Sequence, residues 1–155
     1  MKRILSLLTA AVFSLSLAAC KPDKEEKTEI SVNVRNITGV AISELYIFPE
    51  SFNNYGSNRI TENLKDNSTI SVNLGSYTDD EVSGGYALQA TSAEDGTYES
   101  FANLMLKNND TVTFYMDALG LAVAVNTSDE DIKEMIDELA EDMKNYTEPS
   151  TEAES

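Results

Sequence analysis

The sequence predicts a mainly β protein, an antiparallel β-sandwich of about seven to eight strands followed by one C-terminal amphipathic helix. Three observations carry that expectation. Apolar residues alternate with polar ones between Thr28 and Asn126, turn residues punctuate that alternation, and after Thr127 the apolar period changes from two to helical spacing. An open barrel is the other architecture that such a pattern allows. The chain has 155 residues, 41% hydrophobic and 25% charged, which suits one modest domain with extensions.

Ile30, Val32 and Val34 alternate with Ser31, Asn33 and Arg35 in the first strand, and Asn36-Ile37-Thr38-Gly39 makes the turn that follows. Val40, Ile42, Leu45 and Ile47 resume an apolar face. Their alternation slips between Ile42 and Leu45, which predicts a bulge near Ser43 and Glu44, and Pro49 ends the strand. Glu50 to Arg59 is polar around Phe52 and Tyr55 and reads as a long surface loop. Ile60 to Leu64 forms a short edge piece, Asp66-Asn67 a turn, and Thr69 to Leu74 a strand with Ile70, Val72 and Leu74 on one face. Gly75 to Gly85 is the second long loop. Tyr86, Leu88 and Ala90 give a strand, Glu94-Asp95-Gly96 a hairpin turn, and Tyr98 to Leu106 the return. Asn108-Asn109-Asp110 turns again; Val112, Phe114 and Met116 alternate; Gly120 turns; and Leu121, Val123 and Val125 complete the set.

Thr127 with Glu130, or Ser128 with Asp131, has the spacing of a capping box. Ile132, Met135, Ile136, Leu139 and Met143 then recur on one helical stripe, while Asp137, Glu138, Glu141 and Asp142 help to make the other face acidic. The helix is expected over residues 127–146, with a disordered tail at 147–155. Such a stripe normally packs on its own domain; docking a partner is the alternative.

At the N-terminus, Lys2 and Arg3 precede an apolar run from Ile4 to Leu17, and Leu17-Ala18-Ala19-Cys20 follows before the charged stretch begins at Lys21. The run is shorter than the roughly 20 residues of a membrane-spanning helix, so it reads as a cleaved export signal over residues 1–19. Leu17-Ala18-Ala19-Cys20 resembles the lipobox of bacterial lipoprotein precursors, and the chain's single cysteine stands at the position the motif requires. That resemblance implies cleavage before Cys20, a diacylglycerol thioether on its sulfur with palmitate-like acyl chains, and a cell-membrane or outer-membrane anchor facing periplasm or exterior. Residues 20–27, with Pro22 and no apolar residue after Cys20, form a flexible lipidated stalk. The β-domain then occupies 28–126.

A second likeness is carried by Asn36-Ile37-Thr38-Gly39, Leu45-Tyr46-Ile47-Phe48-Pro49, Tyr55-Gly56-Ser57-Asn58 and Tyr86-Ala87-Leu88-Gln89-Ala90 with Asp95-Gly96. This pattern is similar to that of small exported bacterial β-domains of unassigned function, over about Glu29 to Phe114. It carries no catalytic position. The chain has Tyr55 where that pattern has Trp and Phe48 where it has a small polar residue.

Composition narrows the chemistry. There is no histidine or tryptophan and one cysteine, which removes imidazole acid/base catalysis, thiolate zinc sites and internal disulfides. A net charge of −16 excludes a nucleic-acid footprint. No enzyme activity and no cofactor are expected; a carboxylate hydrolase would need two converging acids, one with its pKa raised by burial. No Asp-x-Asp-x-Asp-Gly run occurs, so no metal site is expected, and the nearest calcium candidates are Asp79, Asp80 and Glu81 in one loop and Asp95, with Glu94, in another. Phe52, Tyr55 and Tyr77 are the aromatic residues placed in loops and the expected contacts for a glycan or other ligand. The sequons at Asn36, Asn67, Asn109, Asn126 and Asn145 are expected to carry no glycan. The function expected is a membrane-anchored binding or display module whose partners are membrane lipid and an envelope protein or glycan. The alternatives are an accessory subunit of an envelope complex that docks through its helix and, behind it, a carboxylate-based hydrolase.

Overall fold

The computed structural model describes residues 26–52 and 54–147. The export signal, Cys20, most of the stalk and the tail after residue 147 lie outside them. Seven strands and one helix follow in order: β1 Thr28–Ile37, β2 Ile42–Pro49, β3 Ser68–Tyr77, β4 Tyr86–Ser92, β5 Tyr98–Leu104, β6 Thr111–Asp117, β7 Gly120–Val125 and α1 Asp129–Thr147. They form a four-stranded sheet of order β3-β1-β6-β7 and a three-stranded sheet of order β2-β4-β5.

Alternation decides which face each strand buries. Val32, Val34, Val72, Leu74, Val112 and Phe114 of the larger sheet share one core with Leu45, Ile47, Leu88 and Ala90 of the smaller. Each fully buried Leu, Ile, Val or Phe contributes about 1.5–3 kcal/mol. All neighbouring strands are antiparallel except β1 and β6, which run parallel in the register Asn33↔Thr111 to Ile37↔Tyr115.

The register also fixes two ends. Thr28 pairs with Tyr77 where β1 begins, and Asn36 with Ser68 where it finishes. At the near end lie the loops 50–59 and 78–85, joined through the hydrogen bond from Glu50 N to Gly85 O. At the far end lie the β1–β2 turn, the β4–β5 hairpin and the β6–β7 hairpin.

The bulge expected near Ser43 is present, as the β2–β4 register shifts between Ile42 and Glu44. The second long loop is shorter than its sequence suggests. Gly75, at φ 111°, forms a bulge against Ile30 and Ser31 rather than a turn, so β3 continues through Tyr77. Asparagine does the turning elsewhere: Asn67, Asn109 and Asn126 lie at φ 56°, 69° and 54°, conformations that asparagine tolerates better than most residues.

The helix covers the outer face of the larger sheet. Its cap is the Ser128–Asp131 pair: Asp131 N donates to Ser128 Oγ at 3.2 Å and that hydroxyl donates to Asp131 Oδ2 at 2.7 Å. Ile132 is buried against Tyr115 and Ala124, with Ile37, Ala122 and Ile136 partly buried around them. This second small core is why β6 buries both of its faces. Arg35, on the outer face of β1, makes a two-pronged ion pair with Asp129 in the first helical turn.

Candidate functional site

The two sheets are closed along one side and open along the other. On the closed side the segment 58–64 seals the β2 edge: Leu45 N donates to Asn58 Oδ1 at 2.9 Å, Arg59 N to Leu45 O at 2.7 Å, and Ile42 and Leu64 bond each other. The Arg59 guanidinium spans the gap between sheets, donating to Ile47 O at 3.0 Å and to Leu74 O at 3.4 Å. On the open side lie β5 and β7, and next to them the ring of Phe101 in β5 meets that of Phe114 in β6 across the core at 6.3 Å.

A cleft of about 320 Å³ opens at the far end of that open side. Thr38, Val40 and Ile42 form its floor, the β6–β7 hairpin supplies Met116 and Leu121, and the β4–β5 hairpin supplies Glu94, Asp95 and Glu99. The surface is therefore apolar with an acidic rim, and no lysine or arginine lines it. Asp95 is held below the usual carboxylate range chiefly by the Thr97 backbone N–H, then by the Thr97 hydroxyl, and so remains an anion at neutral pH. Glu99 pairs with Ala90 and Phe101 with Leu88, so both project from β5 toward the facing sheet. Such a cleft suits a ligand with an apolar body and a cationic group.

A second depression, of about 330 Å³, is lined by Phe48, Glu50, Phe52, Asn54 and Tyr55 near the opposite end. It holds two of the three expected aromatic contacts. Tyr55 is 59% exposed and stands edge-on to Phe48 at 5.1 Å and Tyr46 at 6.5 Å, while Phe52 is more than one-third exposed. Tyr77 does not line the depression but touches Phe52 from behind it. Because β3 runs on past Gly75, Tyr77 is a strand residue; its hydroxyl donates to Leu74 O at 2.8 Å and its ring lies between Phe52 and buried Tyr86.

The calcium candidates do not converge. Asp79, Asp80 and Glu81 sit at the near end and Asp95 at the far end. Thr78 N donates to the Glu81 carboxylate, which Lys27 also contacts; these hold Glu81 below its usual range, the Thr78 contact first. Among the described residues no group of three or more His, Cys, Asp or Glu side chains is placed to hold a metal ion. Among those residues, too, no helix is long and apolar enough to cross a membrane.

The cleft residues Val40, Ile42, Glu99, Met116 and Leu121 read in the sequence as ordinary strand and turn positions. Only the partition of strands between sheets brings them together, and no local pattern encodes it. The one signal in the sequence was a pair of large apolar residues flanking a turn, Met116 and Leu121 on either side of it with Gly120 between.

No protein-family model matches the chain, and no curated protein matches it. Among solved structures it is similar to one described as the NMR structure of the protein from Eubacterium rectale. The identity is 13% and the TM-score 0.46, over 70% of this chain and 96% of that one.

Proposed function

We propose that the protein is a membrane-anchored exported lipoprotein whose β-sandwich serves as an envelope or surface binding module. The observation that carries this reading is Leu17-Ala18-Ala19-Cys20, which sets the chain's single cysteine where a diacylglycerol would be attached. Each buried methylene of an acyl chain contributes about 0.8 kcal/mol, and two chains hold a soluble domain that one would release.

The geometry supports it. The chain enters the sandwich at Thr28, at the near end, whereas the acid-rimmed cleft opens at the far end. The ten residues of β1 separate the two by roughly 33 Å, at about 3.3 Å per residue. The near-end loops 50–59 and 78–85 would then face the bilayer, and a body with 9 basic and 27 acidic residues after residue 19, net −18, would stand off anionic headgroups. Binding rather than catalysis suits the acids: Glu81, Asp95 and Asp129 are all held below their usual range, the reverse of what a general acid needs.

Cys20→Ser tests the anchor. The variant is expected in the soluble fraction after cells are broken and their membranes washed, and retention equal to the parent would overturn the reading. The aromatic depression favours a second one, glycan binding through Phe52 and Tyr55. Tyr55→Ala should then lose retention on purified cell wall, and unchanged retention would count against it.

A further inference from the structure

Of the four sheet edges, three are protected. Segment 58–64 covers β2. Arg59 reaches Asn73 O and Leu74 O of β3, which is also bulged at Gly75. The pairing of β5 with β4 is broken by a register shift, Asn103 of β5 stands at φ 58°, and Glu99 projects inward as a charge. Bulges, covers and inward charges are the usual devices against strand addition. β7 has none of them: Gly120 to Val125 contains no charge and no proline, and its register with β6 is unbroken.

The direction of its backbone follows from the ladder. Asn126 N donates to Thr111 O at 2.8 Å, which makes that pair hydrogen-bonded. Alternation along an antiparallel ladder then gives the Ala124 and Ala122 pairs the next bonds and turns the N–H and C=O groups of Val125, Val123 and Leu121 outward. Val125 O already accepts from the Thr127 hydroxyl at 3.2 Å, as an outward carbonyl can. Among the described residues β7 pairs with β6 alone.

We propose that the free edge of β7 takes up an extended basic segment of a partner protein as an added strand. Inner-face side chains of that strand lie over β5, where Phe101 offers an apolar surface and Glu99 a charge, with Glu94 and Asp95 beyond. The segment recognised therefore alternates apolar and lysine or arginine residues on its inner face. A second copy of this chain is the wrong occupant, because each copy carries −16 and brings no basic residue to the cleft. The proposal names the partner chemistry of the binding module but does not depend on the anchor, and the Cys20→Ser experiment can fail without touching it.

The test uses the full chain purified in detergent and two synthetic octapeptides, Thr-Lys-Thr-Val-Thr-Lys-Thr-Val and a twin with glutamate for lysine. Nitrogen-15 amide shifts report the site. The lysine peptide is expected to bind about tenfold or more tightly than the twin, with the largest shifts at Leu121, Val123 and Val125. Val123→Pro, which removes an outward N–H and no β6 ladder bond, should weaken binding about tenfold. Should that variant fail to fold, Glu99→Lys replaces it and should reverse the preference toward the glutamate twin. Equal binding of both peptides, shifts gathered on α1, dimerisation through β7, or a folded Val123→Pro or Glu99→Lys that behaves as the parent would each overturn the proposal.

Discussion

Asn36 Nδ2 donates to Leu64 O at 2.9 Å from within a fully buried site, and so ties the end of β1 to the segment that seals the β2 edge. The same amide donates to Val40 O at 2.8 Å, and its Oδ1 accepts from Thr38 N and the Thr38 hydroxyl. The side chain's donors and acceptor are all used, which is the condition for a buried polar group to stabilise.

Asn36→Ala leaves the Leu64 and Val40 carbonyls and the Thr38 N–H without that partner. A loss of about 2–4 kcal/mol is expected, read as a lower urea midpoint with an unchanged slope. A change under about 0.5 kcal/mol would show that the network is not what fixes the turn.

Tyr86 presents the reverse case. It is 1% exposed, and among the described residues its hydroxyl is the buried side-chain polar atom without a hydrogen-bond partner. Tyr86→Phe should leave stability unchanged or raise it by about 1 kcal/mol. Burial, and then the neighbouring Tyr77, push the phenol from 10.0 up to about 12. A raised folded value means that the unfolded chain ionises first, so stability is intact below the unfolded value and falls as pH rises through the window up to the folded one. The phenylalanine variant should lose part of that alkaline sensitivity in urea titrations run across the window.

The Arg35–Asp129 pair gives an acid-side counterpart. The hydrogen bonds from the Arg35 guanidinium hold Asp129 below its ordinary 3.8. A depressed folded value contributes stability above the unfolded pKa and loses it as pH falls through the folded one. Both side chains are partly solvent-exposed, so the effect is small and screened by salt. Asp129→Asn should be slightly less stable than the parent at neutral pH and low salt, with the gap closing as pH falls below the ordinary 3.8 and through the lowered folded value, and also in high salt.

Ile132 is the anchor of the helix. Ile132→Ala removes most of the side chain packed on Tyr115 and Ala124 and should cost about 2–4 kcal/mol. Cutting the chain before Thr127 should lower the melting temperature of the β-body, because the outer face of β6 becomes wet. A truncated chain that melts with the parent would show that α1 does not stabilise the sheet.

Much of this was legible because it is local. The alternation Ile30-Val32-Val34, the slip at Ser43 and the Ser128–Asp131 cap are each set within a few residues. Tyr115 was not legible: it alternates out of phase with Phe114 and reads as a surface tyrosine, yet it is 5% exposed because α1 returns to cover it. Tyr77 was misplaced for a related reason, since glycine at Gly75 signals a turn and a bulge equally. The pairing of β1 with β6, and with it the cleft between two distant hairpins, depends on contacts remote in sequence that no periodicity reports.

That parallel pairing sets an order of events. The strand at the middle of the larger sheet is made first, and one of its two neighbours is made sixth, so the central ladder has to wait until most of the polypeptide exists. Until then the nascent chain can pair β1 only with β3, and the core between the sheets stays unfinished.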